Sequence, residues 1–348
     1  MVPIRVLVAE DSPVARELLV SILESAPGLQ VVGTARNGAE AVRLAKRLTP
    51  DVIVMDVYMP EMDGFEATRR IMAETPRPIV LVSASFVKNE RDLTFNALKS
   101  GALSVLEKPA MYDPPERHNL LISQLKLMSE VKVVRRWLES TKPAATCRQV
   151  VPASVLRERN GQSKFQVVAI ASSTGGPGML AQILGQLPAD FPLPVLIVQH
   201  ITQGFSVGLA GWLNQQTPLT VRLAGQGDEL QAGHVLIAPD DYHMMVNSAG
   251  LISLTKEPGY HRLRPSADQL FTSVARVYGA TAIGVILTGM GGDGAEGLRT
   301  MREAGARTIA QDKDSCVVFG MPAVAIELGA AEQILPANKI AAAIITML

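Results

Sequence analysis

The feature that most narrows what this chain can fold into is a short, apolar, β-branched run that keeps returning, each time followed by room for one helix. In the first part of the sequence such runs fall at residues 5–9, 31–35, 51–55, 78–82 and 103–106, about 20–27 residues apart. They are apolar along nearly their whole length, which suits strands covered on both faces and hence a parallel sheet. Helix starts stand in the gaps at Ser12-Pro13, Asn37-Gly38, Asp63-Gly64 and Lys88-Asn89, and residues 116 to about 138 leave room for a last helix. Five β-α units of this kind predict a doubly wound α/β domain.

A second series follows, with strands expected at residues 166–171, 195–199, 281–287 and 307–311 and a helix over 294–305. The Gly- and Asp-rich stretch 225–250 is expected to form short antiparallel strands. The series predicts a larger, doubly wound, mainly parallel α/β domain over 164–348. Between the two, residues 139–163 carry two prolines, a basic surplus and little periodicity, apart from one short helix expected around Val155. They read as a linker. A length of 348 residues fits two domains.

Composition removes several classes. Thirty-three basic residues balance 33 acidic ones, so no net charge draws the chain to nucleic acid or an anionic surface. No run approaches the ~18 apolar residues of a membrane span. The opening apolar run is too short for a signal peptide. Two cysteines, Cys147 and Cys316, are too few for a disulfide framework and suit a reducing compartment. A cytoplasmic monomer is the expectation.

In an open parallel sheet, chemistry gathers beyond the carboxyl ends of the strands. In the first domain those ends bear Glu10 and Asp11, Asp56, Ser83 and Lys108. Three carboxylates at one rim suit a hard divalent cation, most simply Mg²⁺. A lysine and a hydroxyl beside them would satisfy an anion carried on one carboxylate, which describes phosphoryl capture on an aspartate. Asp56 opens the loop Asp56-Val-Tyr-Met-Pro-Glu-Met-Asp-Gly64 and is the natural acceptor. With these residues, positions 1–128 resemble the receiver domain of bacterial response regulators, a flavodoxin-like (βα)5 fold. The resemblance implies phosphorylation of Asp56 by a histidine kinase, Mg²⁺ held by Glu10, Asp11, Asp56 and the backbone carbonyl of Tyr58, and phosphate sensing by Ser83 and Lys108. Val105 stands where many receivers carry an aromatic switch residue.

In the second domain three strand ends carry Ser172-Ser173-Thr174-Gly175-Gly176, Gln199-His200, and Thr288-Gly289-Met290-Gly291-Gly292-Asp293-Gly294. A serine, a histidine and an aspartate at neighbouring strand ends have the reach of a nucleophile–base–orienter relay. Ser172 competes with Ser173 for the first role, and a serine in either place can also simply cap a helix. A competing pattern is Gly289-x-Gly291-x-x-Gly294 with Asp312 beyond it, close to a dinucleotide fingerprint. Asp293 would place a carboxylate where the pyrophosphate belongs. The chain order Ser…His…Asp, without a G-x-S-x-G elbow, is not that of the α/β-hydrolases.

These loops, with Arg264-Pro-Ser266 and Cys316-Val-Val-Phe-Gly-Met-Pro322, are similar to the chemotaxis protein-glutamate methylesterase family, and with the receiver the resemblance spans the chain. It implies that Ser173 is the nucleophile, His200 the base and Asp293 the orienter, with backbone amides of Thr174 and Met290 receiving the oxyanion. The implied activity is hydrolysis of glutamate methyl esters on chemoreceptors and deamidation of receptor glutamines, activated by phosphorylation, with no cofactor for the esterase. Arg264 is placed at the substrate groove. Departures at Ala171, Ile201 to Phe205 and Leu263 lie beside that groove and leave the three catalytic positions unchanged. A response regulator whose second domain only binds a nucleotide is the competing class, with DNA binding behind it.

Overall fold

The computed structural model describes residues 2–83, 100, 102, 104–131, 164–257 and 263–348. The helix expected after Lys88-Asn89, the linker 139–163 with its helix around Val155, Cys147 and His261 lie outside them. The chain divides into two units, Met1–Ala144 and Ala145–Leu348.

In the first unit the apolar runs become β1 (Ile4–Ala9), β2 (Leu29–Ala35), β3 (Val52–Asp56), β4 (Ile79–Ser83) and β5 (Ser104–Glu107). They pair in parallel in the order β2-β1-β3-β4-β5. Every residue of β3 and β4 is buried, as strands covered by helices on both faces require. The helices α1 (Pro13–Glu24), α2 (Gly38–Leu48) and α3 (Gly64–Glu74) begin where expected, each with a side-chain cap from Ser12, Asn37 and Asp63. The last helix is α4 (Pro115–Ser129), and residues 132–138 of its expected span lie outside the described residues. The Glu130 N–H turns there to the carbonyls of Leu127 and Met128, which ends the helical ladder.

The second unit is built on β6 (Val167–Ser172), with α5 (Gly176–Leu184), β7 (Val195–Gln199), α6 (Ser206–Gln216), β8 (Thr220–Leu223) and β9 (His234–Ile237) after it. A hairpin, β10 (His243–Val246) and β11 (Ile252–Thr255), precedes α7 (Ala267–Tyr278), β12 (Ala282–Ile286), α8 (Ala295–Glu303), β13 (Arg307–Gln311), α9 (Met321–Glu327), β14 (Gln333–Leu335) and α10 (Ala337–Met347). The sheet order is β14-β13-β12-β6-β7-β9-β8, all parallel. This corrects one expectation. Of the 225–250 stretch, β10 pairs antiparallel with β11 and Glu229 bridges Leu251 in the same sense, whereas His234–Ile237 joins the main sheet in parallel beside β7. Its three consecutive buried residues, Val235, Leu236 and Ile237, require cover on both faces, which the sheet interior supplies.

Both sheets grow outward from an early central strand in two directions. The first reverses between β1 and β3, the second at β6, which has β7 on one side and β12 on the other. Loops leaving neighbouring strands part at such points and open a crevice. The strand-end residues singled out above stand around these two crevices.

Candidate active site and acidic site

The acidic site is assembled from the ends of β1, β3 and β5. Glu10 and Asp56 are almost wholly buried, and one carboxylate oxygen from each of Glu10, Asp11 and Asp56 lies within 4.8 Å of the others. Lys108 Nζ stands 2.9 Å from both Glu10 Oε2 and Asp56 Oδ2. Its backbone N–H donates to the Ser83 carbonyl at 2.9 Å, so the Ser83 end of β4 is tied to the lysine that reaches the acids. Gly64 is required by close approach: a Cβ there would lie 2.2 Å from the Asp56 carbonyl oxygen.

Burial, with the nearby charge of Asp11, holds the Asp56 carboxyl above the usual carboxylate range despite Lys108. Glu10 is raised in the same way, by burial and by the charge of Asp56. Lys108 is opposed by burial, but its hydrogen bonds to the two acids win and raise it. The site therefore holds more negative charge than its one lysine satisfies. Among the described residues, the buried Asp56 Oδ1 and Ser83 Oγ have no hydrogen-bond partner. An oxygen donor set with an unsatisfied carboxylate atom fits a hard divalent cation. Tyr58 follows two residues beyond Asp56 with its side chain exposed, and Val105, half-buried on the edge strand β5, pairs with Leu81 of β4.

The second site is assembled at the ends of β6, β7 and β12. Asp293 is the most constrained group in it. Its Oδ2 lies 2.8 Å from His200 Nε2 and accepts the Ala267 N–H at 2.6 Å. Its Oδ1 accepts the Ser266 hydroxyl at 2.7 Å and the Asp268 N–H at 3.3 Å. Burial would raise this carboxyl, but the hydrogen bonds from His200, Ala267 and Ser266 hold it well below the usual range. An ionised carboxylate only accepts, so the His200 Nε2 that faces it carries a proton, and in the neutral ring Nδ1 is then the lone-pair base.

Ser172 and Ser173 are now distinct. Ser172 is fully buried and donates its hydroxyl to Gln199 Oε1 at 2.7 Å, which makes it a support. The Gln199 amide nitrogen in turn donates to the carbonyls of Ser173, at 2.7 Å, and His200, at 2.8 Å, bridging the two backbones. Ser173 itself is partly exposed, with its N–H on the Thr288 carbonyl at 3.0 Å. Among the described residues its hydroxyl makes no hydrogen bond. The structure thus joins His200 to Asp293 directly, and Ser173 to His200 through Gln199; the hydroxyl–imidazole bond itself is open, as catalytic bonds often are without substrate.

Gly289 admits the serine turn, since a Cβ there would lie 2.7 Å from Ser173 Cβ and 2.3 Å from Met321 Sδ. The N–H groups of Thr174, which follows Ser173, and of Met290, which follows Gly289, donate to no acceptor among the described residues. Cys316 is no rival nucleophile: burial, with the charge of Asp312, pushes its thiol up to about 12.

A family model described as CheB methylesterase matches residues 168–344, and one described as response regulator receiver domain matches residues 6–116. The chain belongs to the CheB methylesterase family. It is 49% identical over 348 residues to protein-glutamate methylesterase/protein-glutamine glutaminase 1 of Syntrophus aciditrophicus (strain SB), covering 99% of this chain and 98% of the relative. It is 48% identical over 335 residues to protein-glutamate methylesterase/protein-glutamine glutaminase 4 of Myxococcus xanthus (strain DK1622), covering 95% and 93%. The crystal structure of the Thermotoga maritima CheB methylesterase catalytic domain aligns at 41% identity and a TM-score of 0.52, covering 53% of this chain and 99% of that one. The two units are thus a receiver domain followed by a CheB methylesterase domain.

In this family member the glycine pattern at Gly289, Gly291 and Gly294 does not serve a dinucleotide. The Asp293 carboxylate is occupied by His200 and the start of α7, and Asp312 accepts from the Ser315 N–H and hydroxyl at 3.0 and 2.6 Å. Arg264 is engaged on the surface by Asp241, at 2.6 Å, and by the Lys256 carbonyl. Sequence reasoning passed over Gln199 and Ser266 as working residues. His243 is buried, and its Nδ1 accepts the Ser266 N–H at 3.2 Å. An amide one residue before a strand-end histidine was the available signal for Gln199. Ser266 resembled an ordinary helix cap. Among the described residues no helix is long and apolar enough to cross a membrane.

Proposed function

We propose that this chain is a protein-glutamate methylesterase and protein-glutamine glutaminase acting on chemoreceptors in the cytoplasm, switched on by phosphorylation of Asp56 by a chemotaxis-type histidine kinase. The observation that carries the reading is the His200–Asp293 pair beside Ser173, in a chain that matches relatives of that name over nearly its whole length. The Ser173 hydroxyl attacks the ester carbonyl of a receptor glutamate while His200 Nδ1 takes its proton. Asp293 holds the ring and steadies the imidazolium. The Thr174 and Met290 N–H groups receive the oxyanion. Collapse expels methanol, protonated by His200, and leaves an acyl-Ser173. Water, deprotonated by His200, then releases the glutamate carboxylate; with a glutamine side chain the leaving group is ammonia.

In the receiver, Glu10, Asp11, Asp56 and the Tyr58 carbonyl would hold Mg²⁺, whose chemistry is to neutralise phosphoryl oxygens as they approach the buried carboxylate. Lys108 and the Ser83 hydroxyl, unpartnered among the described residues, stand ready for the remaining oxygens. Arg264 would steer an acidic receptor helix only by exchanging the Asp241 carboxylate that it binds here. The test is methanol release from methylated receptor membranes: Ser173→Ala abolishes it, and a Ser173→Ala protein that still releases methanol overturns the reading.

A further inference from the structure

The residue at the N-cap position of α7 is a serine, the residue type that usually caps a helix with its side chain, yet Ser266 makes no side-chain cap. Its hydroxyl points instead to Asp293 Oδ1 at 2.7 Å, and Asp293 caps the helix from outside by accepting the Ala267 and Asp268 N–H groups. Behind Ser266, its own N–H is bound to Nδ1 of the buried His243, 3.2 Å away. That nitrogen must be unprotonated to accept, so the His243 ring is neutral, in keeping with the burial that lowers its pKa. A line therefore runs from His243 through Ser266 to Asp293 and on to His200. Asp268 donates its N–H to the same carboxylate, and its own Oδ1 accepts the Gly297 N–H at 2.7 Å. Arg264 is committed to Asp241.

We propose that Ser266 is a positioning residue for the reaction: its hydroxyl fixes the Asp293 carboxylate in the plane that aims Oδ2 at the His200 ring, and His243 is the buried strut that fixes Ser266. The inference rests on the Ser173–His200–Asp293 reading above. Backbone N–H groups alone, Ala267 on Oδ2 and the longer Asp268 contact on Oδ1, leave the carboxylate free to swing about the side-chain torsion. A hydroxyl on Oδ1, itself anchored to a buried ring, removes that freedom. The helix forgoes its own cap to supply this hydroxyl.

The experiment uses the full-length chain and two readouts, methanol release from methylated receptor membranes and covalent labelling of Ser173 by a sulfonyl fluoride. Ser266→Ala lowers kcat about tenfold to a hundredfold with KM unchanged, and slows labelling in proportion. Ser266→Thr, which keeps the hydroxyl, recovers most of both. His243→Leu, which removes the acceptor, reproduces the Ser266→Ala defect, whereas His243→Asn, which keeps an acceptor at the Nδ1 place, loses less. Thermal midpoints are measured alongside, and the Ser266→Ala comparison stands alone should a bulkier variant not fold. A kcat within twofold of wild type in Ser266→Ala, or a loss carried in KM alone, overturns the proposal. So does equal loss in folded His243→Leu and His243→Asn proteins. Failure of the underlying reading shows differently, as a Ser173→Ala chain that keeps its activity.

Discussion

The receiver and the esterase place their chemistry at the same kind of locus, the crevice where a parallel sheet reverses its winding, and treat a buried carboxylate there in opposite ways. Asp56 and Glu10 share one lysine between them and are held above the ordinary carboxylate range. Asp293 is as deeply buried, yet four donors surround it and hold it far below that range. Burial alone does not decide a carboxylate's charge; the count of donors aimed at it does. A site short of donors is fit to accept a cation and a phosphoryl group. A site saturated with donors is fit to hold a neighbouring imidazole without itself reacting.

The comparison can be tested from its largest consequence downward. Ser173→Ala should lower methanol release by about 10⁶-fold, as loss of a relay nucleophile does. Ser172→Ala, which only leaves Gln199 Oε1 unpaired, should lower it far less; an equal loss would make Ser172 the nucleophile. Asp293→Asn should cost about 10⁴ in kcat, because the amide favours the wrong imidazole tautomer. It should also destabilise the esterase by about 1–3 kcal/mol in urea unfolding at neutral pH, since an amide cannot accept on both sides as the carboxylate does. Asp56→Asn should leave basal esterase activity in place and remove its rise on incubation with a small-molecule phosphoryl donor and Mg²⁺.

The smallest effect carries the sign of the contrast. A carboxyl whose pKa is raised by folding binds its proton better in the folded state, so its contribution to stability improves as pH falls through that raised value toward the ordinary one. Asp293 is the reverse: its contribution is complete above the ordinary carboxylate pKa and disappears as pH falls through its lowered one. In metal-free buffer at pH 7, Glu10→Gln should therefore raise the receiver's Tm slightly, while Asp293→Asn lowers that of the esterase. Calorimetry showing both shifts in the same direction would break the comparison.

Much of this was legible before any coordinates. The recurring apolar runs predicted all five strands of the first sheet and the strands at β6, β7, β12 and β13, because a strand buried on both faces leaves an unbroken apolar signature. The parallel placement of His234–Ile237 was not legible, since a four-residue run reads alike in either orientation. Gln199 and Ser266 were passed over for another reason. Their neighbours in sequence explain them adequately as a strand end and a helix start, and only their contacts reveal other work.

Local pattern alone determined that this chain makes two parallel sheets and that Glu10, Asp56, Ser173, His200 and Asp293 stand at strand ends, since side-chain burial along a strand depends on the residues of that strand. Which atoms meet was decided by tertiary packing. The His200–Asp293 bond joins residues 93 apart in sequence, and the Ala267 amide reaches Asp293 across 26. The burial of Ser172 and the aim of Ser266 likewise follow from how helices and loops pack over the sheet. Contacts over such separations depend on the relative placement of whole elements, which no window of sequence encodes.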